Sequence, residues 1–141
     1  MQSDSVARII EGRVLVTQPP TATVREAARV MAEKSIGAVP VVEGRKLIGI
    51  FTERDIVAKV IALGRDVDRS RLEEVMTRRP ETVSTHCPLS EVLEVMLNGG
   101  FRHLPVMSQG EVVGVVSMRD IYVDYRRMQQ GVMNLKDEVS A

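Results

Sequence analysis

Aromatic side chains are nearly missing from this chain: 141 residues carry two tyrosines, two phenylalanines and no tryptophan. Base-stacking surfaces are built from such rings, so a single-stranded nucleic-acid platform is not expected. Net charge is missing too, because 19 basic residues balance 19 acidic ones. No overall field therefore draws the chain to nucleic acid or to an anionic membrane, and neither is an expected partner. The one cysteine, Cys87, excludes an intramolecular disulfide and fits a reducing compartment. Two separated histidines, His86 and His103, without a cysteine cluster give no expected metal site. No apolar run reaches the ~20 residues of a membrane helix. The opening MQSDSVARII lacks the charged and apolar regions of a signal peptide. The expectation is a soluble cytoplasmic protein.

What the chain does have is itself, twice. Val16–Ile56 laid over Glu81–Ile121 without a gap gives ten identities in forty-one positions, among them Glu26/Glu91, Met31/Met96, Pro40/Pro105, Gly49/Gly114, Arg54/Arg119 and Asp55/Asp120. A constant offset with no insertion marks a tandem repeat. A unit of roughly 60 residues buries only a modest share of its surface, so the two copies should pack together.

Each copy spells the same order of elements. Val6, Ile9 and Ile10 suit a short helix before the first copy, ended by Gly12. The apolar run Val14-Leu15-Val16 predicts a strand. Thr23-Val24-Arg25-Glu26 is a capping box opening a helix whose apolar face is Val24, Ala27, Ala28 and Met31. Val39–Val42 and Leu47–Phe51 flank Glu43-Gly44-Arg45-Lys46, a hairpin signature. A helix from Thr52 should place Ile56, Val57, Val60 and Ile61 along one side and end at Gly64. In the second copy Thr82-Val83 is the strand, and Leu89, Val92, Leu93 and Met96 the helix face, with Pro88 near its first turn. Leu104–Met107 and Val112–Val116 form the hairpin, and Ser117 opens the last helix. The tail can extend that helix, although Gly131 weakens it, and its Val123, Met128, Val132, Met133 and Leu135 could pack on the body or on another subunit. The implied units are 6–64, a linker at 65–74, 75–125 and a tail at 126–141.

Functional content concentrates in Gly-apolar-apolar-Ser/Thr-x-Arg-Asp, found as Gly49 to Asp55 and again as Gly114 to Asp120. A strand running into a helix N-terminus presents unpaired N–H groups and a dipole that favour anions. The hydroxyl and carboxylate can face one ligand, the Asp accepting from both hydroxyls of a ribose and the Arg reaching a phosphate. Thr52-x-x-Asp55 and Ser117-x-x-Asp120 are equally what helix caps look like. Two copies inside matched repeats favour the ligand reading over caps alone. His103 has a bland alternative as a hydrogen-bonded strand residue, and Arg78-Arg79 and Arg126-Arg127 suit solvated surface.

The order of elements, the doubled motif and Arg102-His103-Leu104-Pro105-Val106 together resemble the CBS domain, named after cystathionine β-synthase, over most of the chain. The resemblance implies an α/β (α+β) fold of tandem CBS repeats. Each would be a small sheet with two helices, packed as a pseudo-two-fold pair called a Bateman module. It further implies two clefts taking adenosine-containing ligands (AMP, ADP or ATP; NAD(H) or S-adenosylmethionine as further candidates), a homodimer, and a sensor rather than an enzyme. Carried over, one cleft combines Val16, Ile36, Gly37 and Ala38 with Val115, Ser117, Arg119 and Asp120. The other combines Thr82, Phe101, Arg102 and His103 with Ile50, Thr52, Arg54 and Asp55. The second should present more positive charge, and Glu81, standing where Val16 stands, should suit a purine less well.

The expected function is a regulatory module that binds an adenine nucleotide and signals through an effector protein. The alternative is a ligand-free dimerising interaction protein whose Asp residues are caps. No nucleophile–base–orienter set or P-loop points to catalysis.

Overall fold

A computed structural model of the chain describes residues 5–140, with side chains through residue 131. The element order is α1 (Val6–Ile10), α2 (Val24–Lys34), β1 (Ala38–Glu43), β2 (Lys46–Thr52) and α3 (Glu53–Asp55), which runs on into a π-helical stretch, Ile56–Ile61. Then come α4 (Leu72–Val75), β3 (Thr77–Arg78), β4 (Val83–Ser84), α5 (Leu89–Gly99), β5 (His103–Ser108), β6 (Glu111–Ser117) and α6 (Met118–Ser140). Two three-stranded sheets result, β1-β2-β3 and β4-β5-β6.

The repeat is visible in the register. Val41 pairs with Gly49 and Val106 with Gly114, and each hairpin slips by one residue immediately afterwards. Both hairpins close on two-residue loops, Gly44-Arg45 and Gln109-Gly110. Positive φ at Gly44, Gln109 and Gly110 gives these turns a twist that matches the strands. The connections that seat each helix on its sheet are also matched. Glu53 N–H donates to the Gly37 carbonyl at 3.0 Å, and Met118 N–H donates to the Arg102 carbonyl at 2.8 Å.

The cores, however, exchange segments. Val6 of α1, at the start of the chain, is fully buried with Val83, Val92, Met96, Leu104, Val106 and Val116 of the second repeat. Leu72 and Val75 of α4, which precede the second repeat, fill the first core with Val24, Met31, Val39, Val41 and Phe51. The stretch 65–74 thus carries structural weight as well as connecting, and each repeat is completed by what comes before the other.

Three expectations change. Val14-Leu15-Val16 forms no strand. The one bridge beside β1 falls at Gln18 with Val41, matching Val83 with Val106, while Val14 is 87% exposed. Arg13, next to this run, is tied to Asp120 rather than to the first sheet. After α3 the chain leaves α geometry, with Ala62 N–H donating to Val57 and Arg65 N–H to Val60, five residues back. Of the four apolar residues assigned to that face, Val60 is buried, Ile56 partly so, and Val57 and Ile61 face solvent. Finally, Pro88, expected near the first helical position of α5, sits at its N-cap, whereas the tail extends α6 as expected and runs unbroken through Gly131. Val132, Met133 and Leu135 lie outside the residues whose side chains are described. Among the described residues, no helix is long and apolar enough to cross a membrane.

Candidate functional site

Where the repeats meet, a cavity of about 1070 Å³ opens between α2, the segment before it, and the β6–α6 junction. That is the upper end of the roughly 300–1,000 Å³ typical of ligand pockets. All eight residues of the first predicted cleft line it: Val16, Ile36, Gly37 and Ala38 from one repeat, Val115, Ser117, Arg119 and Asp120 from the other. Met31, Ala28 and Ala32 of α2 extend the apolar wall. Charged groups share the same lining: Arg13, Arg102, Arg119 and His103, with Glu53 and Asp120.

The local sequence explains how Asp120 is held. Ser117 ends β6 and begins α6. Its N–H donates to Asp120 Oδ2 at 2.8 Å, while the Asp120 N–H donates to Ser117 Oγ at 3.1 Å. This is the cap anticipated from the spacing, and it aims the carboxylate into the cavity rather than removing it from use. Arg13 then grips the same carboxylate with two prongs, Nη2 to Oδ1 at 2.9 Å and Nη1 to Oδ2 at 3.1 Å. Burial pushes the Asp120 carboxyl up, but the hydrogen bonds from Arg13 and Ser117 outweigh it and hold it below its ordinary value. His103, half-buried, is pushed down by desolvation against the opposing pull of Glu53 and Asp120. Gly37 lies against it, since a Cβ there would come within 3.0 Å of His103 Nε2.

The second predicted set is arranged differently. Its Arg102 and His103, at the start of the second hairpin, line the first cavity. The other six, Thr82, Phe101, Ile50, Thr52, Arg54 and Asp55, do not line it. Asp55 is 6% exposed. Its Oδ2 accepts from Thr52 N–H at 3.0 Å and from the Thr52 hydroxyl at 3.2 Å, and Lys59 Nζ sits 3.1 Å from Oδ1. Ile50 is buried, Thr82 is exposed, and Phe101 packs on the second core. Arg54 reaches across to the Gly100 carbonyl at 3.5 Å.

Arg13 is the site residue that sequence reasoning missed. Its partner is 107 positions away and it lies outside the Gly-apolar-apolar-Ser/Thr-x-Arg-Asp motif, ahead of the aligned stretch Val16–Ile56. The signal available was its match, at the repeat offset, to Arg78. Cys87 carries no sign of activation, as burial and Glu91 both push its thiol up.

These features define a class. The family model for the CBS domain matches residues 13–62 and 72–123, and the chain belongs to that family. It is 39% identical over 131 residues to an uncharacterized 17.7 kDa protein of Acidianus ambivalens, covering 89% of this chain and 77% of that one. A CBS-domain protein of Agrobacterium tumefaciens superimposes with a TM-score of 0.78 at 32% identity, covering 86% of this chain and 98% of that one. A CBS-domain protein of Pyrobaculum aerophilum, solved with AMP, gives 0.75 at 29%, covering 82% and 88%. The chain spans 62% of a Methanopyrus kandleri relative and 22% of one from Arabidopsis thaliana.

Proposed function

We propose that this CBS pair is a ligand-sensing module that binds an adenosine-containing nucleotide of the AMP, ADP or ATP class in the cavity between its repeats. The observation that carries the reading is the cavity's polarity. A carboxylate held by its own helix cap shares one cavity with apolar side chains and a cluster of arginines. Asp120 would accept from the ribose hydroxyls, Val16, Ile36 and Ala38 would flank the base, and Arg102, Arg119 and His103 would face phosphate. The AMP complex of the Pyrobaculum relative supports the ligand class.

The ligand touches both repeats, so it can shift their packing by as much as its affinity differs between two arrangements. An effector protein would read that shift. Exposed Val57, Ile61, Leu63 and Leu97 offer apolar surface for a second copy. A hexameric CBS-CP12 protein of cyanobacteria is a structural neighbour with a TM-score of 0.76.

Thermal melting against AMP, ADP, ATP, NAD(H) and S-adenosylmethionine tests this. A ligand at ~100 times its dissociation constant adds about 2.7 kcal/mol, which raises the midpoint by several degrees. A selective rise is the expected result. No rise with any of the five overturns the reading in favour of a ligand-free interaction module.

A further inference from the structure

Arg13 enters the cavity from the start of the first repeat and closes on a carboxylate of the second. An ionised carboxylate offers about four lone-pair positions. Asp120 has three engaged, two by the Arg13 fork and one by the Ser117 N–H. A ribose diol brings two further donors, and they cannot both be accepted while the fork stays shut. The Arg13 side chain is 49% exposed, so it has room to move aside.

We propose that Arg13 is a specificity-determining residue of this cavity: it leaves Asp120 when a ribose binds, and the phosphate of the ligand takes it over. The proposal rests on the nucleotide reading above. Its logic is an exchange of anions for one guanidinium. A nucleoside that displaces Arg13 breaks a charge-assisted fork and offers nothing in return, leaving the guanidinium without its carboxylate. A nucleotide carries its own anion into the same cavity, and a guanidinium fork fits phosphate as well as it fits carboxylate. Arg13 thereby discriminates against unphosphorylated ribosides, which Arg102 and Arg119 alone would do less sharply because neither has to be released from Asp120.

The test is isothermal titration calorimetry of AMP and adenosine with the wild-type protein, Arg13→Gln and Arg13→Lys. Wild type should favour AMP over adenosine by on the order of tenfold to a hundredfold, the range of one charge-assisted contact. Arg13→Gln should bind adenosine more tightly and AMP no better, shrinking that ratio by roughly tenfold. Arg13→Lys, which keeps the charge and loses the fork, should fall between. An unchanged ratio in Arg13→Gln overturns the proposal, even if its melting point falls, because that is what a purely structural ion pair would show. No binding of either compound by any of the three proteins overturns the role of Arg13, while the nucleotide reading itself falls only if none of the five ligands raises the melting point.

Discussion

Asp55 and Asp120 occupy one position in two copies of one motif, and their surroundings diverge within a few residues. Both accept from the backbone N–H of their own capping hydroxyl residue. One turn on, the first repeat has Lys59, which binds Asp55, and the second has Asp124 at the matching place, which binds Arg8 instead. Arg13 reaches Asp120, whereas its counterpart Arg78 donates to the Glu73 carbonyl. The repeated residues therefore build equal scaffolds, and the unrepeated charges around them decide which carboxylate faces a cavity.

Substituting the two aspartates tests that division most severely. Asp120→Ala should cost about 3 kcal/mol of nucleotide binding, roughly a hundredfold in affinity, through loss of two charge-assisted contacts. Asp55→Ala should leave affinity within about twofold and instead lower stability by about 1–2 kcal/mol, as loss of a helix cap does. Calorimetric titration and melting of both variants read the two effects separately. Equal losses of affinity would mean that both clefts bind, and would break the comparison.

A smaller contrast lies at the matched glycines. A Cβ on Gly49 would come 2.5 Å from Met76 Sδ and 2.9 Å from the Thr77 carbonyl, so backbone stands in its way. On Gly114 it would meet the Ile10 side chain at 3.0–3.2 Å. Overpacking of this kind costs about 1–3 kcal/mol. Gly49→Ala should fall at the upper end and Gly114→Ala near or below the lower, because the contacts at Gly49 are shorter and include a backbone carbonyl, whereas those at Gly114 are all with one side chain. Chemical denaturation of the two variants gives the order, and a reversed order would show that Met76 and Thr77 yield more readily than Ile10.

Much of this was legible in the chain because the repeat made weak signals count twice. The capping boxes at Thr23 and Thr52 and both hairpins form where the spacing places them. So does the gathering of Val16, Gly37, Ser117 and Asp120 around one cavity, which the family resemblance supplied and composition could not. The departures share a cause, namely partners far away in sequence. Val14-Leu15-Val16 has the composition of a strand, but its neighbour Arg13 is held at the cavity by Asp120. Leu72 looks like linker until its place in the first core is seen. Arg102 and His103 match Gly37 and Ala38 by offset, yet all four meet at the boundary between repeats, where a residue belongs to whichever cleft is open.

The smallest expected effect concerns that boundary and acid. Position 103 is His where the first repeat has Ala38, so only the second repeat supplies a titrating group there. Desolvation lowers the folded pKa of His103 beneath its ordinary 6.5, with Glu53 and Asp120 pulling the other way and Arg102 adding to the lowering. The unfolded chain then binds the proton more readily than the folded one. Stability contributed by the neutral imidazole is complete above pH 6.5 and is lost as pH falls below it toward the folded value. Asp120, also lowered, contributes stability that survives until pH drops past 3.8 toward its own folded value, so its loss begins at lower pH than that of His103. Melting temperature should therefore decline as pH falls below about 6.5 in the wild type and decline less in His103→Gln. A bound phosphate beside the imidazole favours its charged form, so saturating AMP should flatten the same slope without any substitution. Equal slopes in wild type and His103→Gln would place the acid response elsewhere and remove His103 from the account of how the repeats differ.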